Sequence, residues 1–165
     1  MTMLARLWAW GECAIEALNR VQPAAQVLAR WTVAEAFFRS GLTKLNDWGT
    51  TLALFADEYH VPLLPPEVAA VLGTTGELVL PVLLLLGFGG RFAAAGLFIV
   101  NAVAVASLND IAPAALQQHV FWGSLLAGLV LWGPGRWSVD RVVAPWLRQR
   151  LMGEGEASSR YTAAA

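Results

Sequence analysis

A chain of 165 residues that is 57% hydrophobic and only 14% charged, with a mean hydropathy of +0.54, lies far from the roughly one-quarter charged content of soluble domains and reads as an integral membrane protein. The net charge of −1 excludes the basic field that a nucleic-acid partner needs, so no nucleic acid is expected. A single cysteine, Cys13, excludes an internal disulfide, a dithiol relay and a cysteine-rich metal site.

In chain order, residues 1–22 come first. Leu4, Leu7, Trp8, Gly11, Ile15 and Leu18 fall near one helical face, with Arg6, Glu16 and Arg20 elsewhere. That pattern suits an amphipathic helix lying in the membrane interface or packing onto a bundle. The segment has no continuous apolar run and no small-residue cleavage site, so it does not read as a signal peptide. A transmembrane domain over 23–136 follows. Four segments, at about 27–45, 67–87, 91–108 and 114–132, approach the roughly 20 residues that a bilayer crossing requires. The connection after the first carries Thr51-Leu-Ala-Leu-Phe-Ala-Asp-Glu-Tyr59, with Leu52, Phe55 and Tyr59 on one side. It predicts a short lid helix, stopped by Val61-Pro-Leu-Leu-Pro-Pro66. Residues 137–151, starting at Ser138-x-Asp140, predict a basic surface helix, and 152–165 a disordered tail. The expected fold is therefore all-α: an integral membrane four-helix bundle with interfacial helices at both ends and a lid in the 1–2 loop.

Loop charges predict the orientation. Arg6, Arg20 and Arg30 flank the first span, Arg91 sits in the 2–3 loop, and Arg136, Arg141, Arg148 and Arg150 follow the fourth span. The 1–2 loop carries Asp47, Asp57, Glu58 and Glu67, and the 3–4 loop Asp110. Both termini are expected in the cytoplasm.

Glu77 stands near the centre of the second span, where a charged group costs roughly 2.5–3.5 kcal/mol. A cost of that size calls for a partner or a function. At 1.5 Å per residue, Arg39 lies ~9 Å below the outer end of helix 1 and Glu77 ~15 Å down helix 2. Glu35 is one turn deeper than Arg39, Asn101 reaches mid-depth on helix 3, and His119 lies about a turn and a half into helix 4. Glu35, Arg39, Glu77, Asn101 and His119 are expected to converge, with Trp122 beside His119. Arg39 has two candidate partners, Glu35 at i+4 spacing and Glu77 across the bundle. Such a pair fixes helix register or belongs to a functional polar pocket. His60 reads as a loop histidine. His60, His119, Asp57, Glu58 and Asp110 show no metal-ligand spacing, so no metal site is expected, and two histidines on different outer elements do not form a haem pair.

Phe37-Phe38-Arg39-Ser40-Gly41-Leu42-Thr43-Lys44-Leu45 resembles the first-helix signature of the DoxX family of membrane proteins. Gly76-Glu77-Leu78 with Pro81 and Gly87, then Gly90-Arg91-Phe-Ala-Ala, resembles its second and third helices. Trp122 to Gly133-Pro134-Gly135, then Ser138 and Asp140, resembles its fourth helix and exit. The resemblance spans about residues 25–147. It implies a four-helix protein of the prokaryotic cytoplasmic (inner) membrane, related to the small subunits of thiosulfate:quinone oxidoreductase and to members of oxidative-stress complexes. The Leu-Leu-Pro-Pro loop also resembles members found beside metal-stress genes. Gly41, Lys44 and Glu77 match the family motif; nothing in the sequence identifies a sulfur site.

Three functions remain open from sequence. The first is a quinone-binding subunit of a membrane redox or stress-response system. Arg39, Lys44 or His119 would bond a quinone oxygen, Glu77 would exchange its protons, and Trp122, Phe37 and Phe38 would wall the ring, with electrons from a partner or bound cofactor. The second is a non-enzymatic scaffold for a protein partner or a second copy. The third is a small-molecule or ion permease, which lacks a visible inverted repeat.

Overall fold

The computed structural model describes residues 2–147 and 149–150, without the side chains of residues 5 and 6; Arg148 and the tail expected at 152–165 lie outside the described residues. Among the described residues there are six helices and no strand. Helix α1 runs Met3–Asn46, α2 Trp48–Asp57, α3 Pro66–Leu86, α4 Gly90–Ala106 and α5 Pro113–Trp132. The sixth helix begins at residue 140 and covers 140–147.

The helix containing the first expected span is much longer than that span. α1 has 44 residues, about 66 Å at 1.5 Å per residue, twice the thickness of a hydrocarbon core. It continues through Pro23, which removes one i→i−4 hydrogen bond. The flanking sequence is rich in Ala, Leu, Arg, Gln and Glu, which sustain a helix on either side of that defect. Surface pairs one turn apart add small increments: Trp8 Nε1 donates to Glu12 at 2.9 Å, and Arg20 bonds Glu16 at 2.7 Å. Each exposed ion pair of this kind contributes about 0.3–0.5 kcal/mol. The first twenty residues of α1 carry exposed Met3, Leu4, Leu7, Trp8, Trp10, Ile15 and Leu18 and extend beyond the packed helices.

From Arg30 onward α1 packs on α3, α3 on α4, α4 on α5, and α5 back on α1. Their shared core is Val33, Phe37, Leu84, Ala93, Ala94, Leu97, Leu126 and Leu129. Gly41 sets the α1–α3 distance. A Cβ there would lie 2.8 Å from Leu78 Cγ and 3.2 Å from Glu77 Cβ, so the two backbones approach at the level of Glu77 because position 41 has no side chain. The outer faces are apolar as well: Leu72, Val79, Phe92, Ile99, Val120 and Leu131 are exposed. Soluble monomers rarely display such a surface. α3 and α5 are long and apolar enough to cross a membrane, and α4 is apolar over 17 residues.

The lid helix forms as α2, starting three residues before the expected Thr51. Asp47 explains the earlier start. Its Oδ1 accepts the Thr50 N–H at 2.9 Å and its Oδ2 the Thr50 hydroxyl at 2.7 Å, an N-cap. The Thr50 amide, then the Thr50 hydroxyl, hold the Asp47 carboxyl below its ordinary range. Thr51 donates to the Lys44 carbonyl at 2.9 Å, and Phe55 packs with Ala69 and Ala70 of α3. The 1–2 connection is also stitched to the 3–4 connection, where the His60 N–H donates to the Ser107 carbonyl at 2.8 Å.

At the other end, Asp140 is an N-cap for a helix fifty residues away. Its two oxygens accept the N–H groups of Gly89 at 2.7 Å and Gly90 at 2.8 Å, at the start of α4. The backbone N–H groups of Val139 and Asp140 donate to the carbonyls of Leu86 and Gly87. The segment after α5 is thereby fastened across the α3–α4 turn, where Gly87 takes a left-handed φ of +67°.

Candidate functional site

The polar residues inside the helices separate into three groups. In the first, Lys44 of α1 reaches across to Glu77 of α3. Lys44 Nζ lies 2.6 Å from Glu77 Oε2, with the side chains only 19% and 10% exposed. Nζ also donates to Ser40 Oγ at 2.9 Å, one turn back on α1. In the second, Asn101 of α4 and His119 of α5 hold each other. Asn101 Nδ2 donates to the His119 carbonyl at 2.9 Å, and His119 Nδ1 lies 2.8 Å from Asn101 Oδ1. An amide oxygen only accepts, so this contact calls for a proton on Nδ1. The third is Glu35–Arg39, an i,i+4 pair at 2.9 Å on the outside of α1, with Arg39 77% exposed.

Arg39 therefore corrects the expected convergence. It pairs with Glu35, not with Glu77, and the cation on Glu77 is Lys44. The reason is angular. At 100° per residue Arg39 lies about 140° around the helix from Lys44, and the face of Phe37, Gly41 and Lys44 is the one that packs on α3. Glu35 and Arg39 border a different groove, with Trp31, Phe38, Leu42 and Pro81. Trp122 stands behind His119, edge-on to it at 5.3 Å and to Phe37 at 5.7 Å.

The first two groups share one cavity of about 320 Å³, within the size range of small-molecule sites. Ser40, Lys44, Glu77 and His119 contribute to its lining, and Tyr59 and Phe55 come from the lid side. Apart from Ser107, the remaining walls are apolar, among them Leu72, Ile99, Val100 and Val103 of α3 and α4. Leu72 and Ile99 are also exposed on the outer surface, so the cavity reaches the apolar face between α3 and α4. Tyr59 packs edge-on to Phe55 at 5.1 Å. Burial, then the Glu58 and Glu77 carboxylates, push its phenol up from the ordinary value; the hydroxyl stays protonated at neutral pH and is a donor.

Ser40 and Tyr59 were not expected at this site. Ser40 is signalled in the sequence by its i,i+4 relation to Lys44, which places the two side by side on α1. Tyr59 shares the lid face read from the sequence with Phe55, but α2 ends at Asp57, and the turn after it brings Tyr59 over the cavity. Arg30, expected as a flanking charge, is instead buried at 2% exposure. It donates to the carbonyls of Leu85 and Trp137.

A family model described as DoxX matches residues 25–110, the stretch that holds Gly41, Lys44, Glu77 and Asn101. The chain belongs to the DoxX family. No curated protein and no solved structure matches it. Family membership and the apolar helices together indicate a membrane protein. Within this DoxX chain, the matched residues supply α3, α4 and the Lys44–Glu77 pair, whereas His119 and Asp140 lie beyond the match.

Proposed function

We propose that this DoxX protein is a multi-pass inner-membrane protein that binds a quinone-like molecule between α1, α3, α4 and α5, as a subunit of a membrane redox or stress-response system. The observation that carries this reading is the Lys44–Glu77 cavity. It is apolar on most sides, bears donors and acceptors on the rest, and reaches the apolar outer face. A planar ring suits its walls, and an isoprenoid tail would leave between α3 and α4 into lipid. Lys44 and the protonated Tyr59 phenol would donate to a ring oxygen. Glu77 would accept or return a proton when the ligand changes oxidation state, with electrons supplied by a partner. The test is titration of quinone-stripped protein in mild detergent with ubiquinone and menaquinone analogues. Stoichiometric binding is expected, with Tyr59→Phe weakening it about 3- to 10-fold through one lost hydrogen bond. No binding to the stripped wild-type protein would refute the reading.

A second reading, a scaffold that holds another protein, is favoured by the helical extension at residues 3–22 with its exposed Trp8 and Trp10. Native mass spectrometry of the same preparation separates the two. A copurifying protein with no small molecule beyond lipid would favour the scaffold.

The proposal places both termini in the cytoplasm. Supporting it, Arg91, Arg136 and Arg141 gather at one end, and the connections bearing Asp47, Asp57 and Asp110 meet at the other through His60 and Ser107. An alkaline phosphatase fused after Arg150 is expected to be inactive; an active fusion would reverse the topology.

A further inference from the structure

Far from the Lys44–Glu77 cavity, roughly 27 Å along α1 from Lys44 to Gln26, lies a groove of about 400 Å³. Three arginines from three separate elements line it: Arg91 near the start of α4, Arg136 in the loop after α5, and Arg141 in the last helix. Gln22 and Gln26 of α1 face it from the other side. Its one carboxylate, Asp140, is already committed, with both oxygens accepting the Gly89 and Gly90 N–H groups. Arg91 donates once, to the Leu131 carbonyl at 3.2 Å, leaving most of its five donors unused. Among the described residues, Arg136 and Arg141 have neither an ion pair nor a side-chain hydrogen bond. Three cations thus face one satisfied carboxylate, an excess of positive charge without a counter-ion among the described residues.

The flanks say what kind of anion fits. Trp132 lines the groove, Trp137 lies beside it, and both are exposed, as aromatic residues are at the level of lipid headgroups. Phe92 and Leu131, also exposed, continue the surface along α4 and α5 as an apolar strip. A phosphate among the guanidinium groups with an apolar strip alongside is the arrangement of an acidic lipid: forked donors for phosphate oxygens, and a path for acyl chains. We propose that this groove is a binding site for the headgroup of an anionic phospholipid. Asp140 serves it indirectly: its two oxygens are taken up by the Gly89 and Gly90 N–H groups at the start of α4, one residue before Arg91.

The test is native mass spectrometry of the full chain in detergent. It is titrated with phosphatidylglycerol, with phosphatidylcholine, and with phosphatidylglycerol in the presence of equimolar inorganic phosphate. Preferential retention of phosphatidylglycerol is expected, undisturbed by inorganic phosphate. Arg136→Gln combined with Arg141→Gln should weaken it roughly 10- to 30-fold, from about one unit of surface attraction per removed cation, whereas Arg20→Gln on the extension should leave it unchanged. Both groove residues are exposed, so the double variant is expected to melt like the wild type; if it does not, Arg91→Gln provides the same reading. Equal retention of phosphatidylcholine, unchanged retention by the variants, or displacement by free phosphate would each overturn the assignment.

Discussion

Replacing Lys44 by Met is expected to destabilise the protein by about 3–5 kcal/mol, the usual effect of removing one partner from a buried ion pair. The loss would be read as a fall in melting temperature in detergent and in the yield of folded protein. The cause is the partner left behind. Glu77 is buried between α1 and α3, and its Oε2 depends on Lys44 at 2.6 Å. Without the ammonium, a carboxylate remains in an apolar wall with no cation to offset its desolvation. Gly41 holds the α1 backbone against Glu77 Cβ and Leu78, so the helices have little freedom to part and admit water.

The companion variant makes the prediction specific. Lys44→Met with Glu77→Leu removes both charges, and apolar replacement of a buried pair is often neutral or stabilising. The double variant should therefore recover most of the loss. A double-mutant cycle with a coupling energy below about 0.5 kcal/mol would show that the pair does not act as a unit. The recovered variant also separates structure from function. A pair that only fixes helix register leaves ligand binding intact in the double variant. A pair that lines a quinone-like site loses binding in a protein that still folds.

How much of this was legible in the sequence depends on the direction in which each residue acts. Spans at 67–87, 91–108 and 114–132 correspond closely to α3, α4 and α5 because apolar runs bounded by Pro66, Gly87 and Pro113 specify element ends locally. Depth was legible in part: Asn101, read at mid-depth, does meet His119, but Lys44, two residues before the end of α1, bonds Glu77, which rise per residue puts ~15 Å down its helix. Azimuth was less so. Arg39 and Lys44 are five residues apart with similar charge, and only the small side of α1, at Gly41, distinguishes the face that packs on α3. The least legible residues act over long sequence separations. Asp140 read as the start of its own helix, yet its carboxylate serves Gly89 and Gly90. Arg30 read as a topogenic charge because nothing within four residues of it hints at partners at 85 and 137.

Arg30→Met is expected to produce the second large loss, about 3 kcal/mol, or roughly 6–12 °C in melting temperature for a chain of this size. The guanidinium is 2% exposed and spans two groups that lack partners of their own. Nη1 donates at 3.2 Å to the Leu85 carbonyl, in the last turn of α3, where helix carbonyls are orphaned. Nη2 donates to the Trp137 carbonyl in the segment leading to the last helix. A positive group at the C-terminus of α3 also suits the helix dipole. Gly87 fits around this arrangement, since a Cβ there would lie 2.6 Å from Arg30 Nη1. Met fills much of the volume and supplies neither hydrogen bond, so two part-buried carbonyls lose their donor, at up to about 1–3 kcal/mol each. Lysine keeps the charge but has one nitrogen where the guanidinium places two, and Arg30→Lys should recover only part of the loss. The local consequence is as diagnostic as the global one. With the Trp137 carbonyl released, the Val139–Leu86 and Asp140–Gly87 backbone bonds lose their anchor, and hydrogen exchange at the Val139 and Asp140 amides should accelerate before the Lys44–Glu77 region responds. If Arg30→Met melts with the wild type and leaves those amides protected, Arg30 does not tie the last segment to the end of α3.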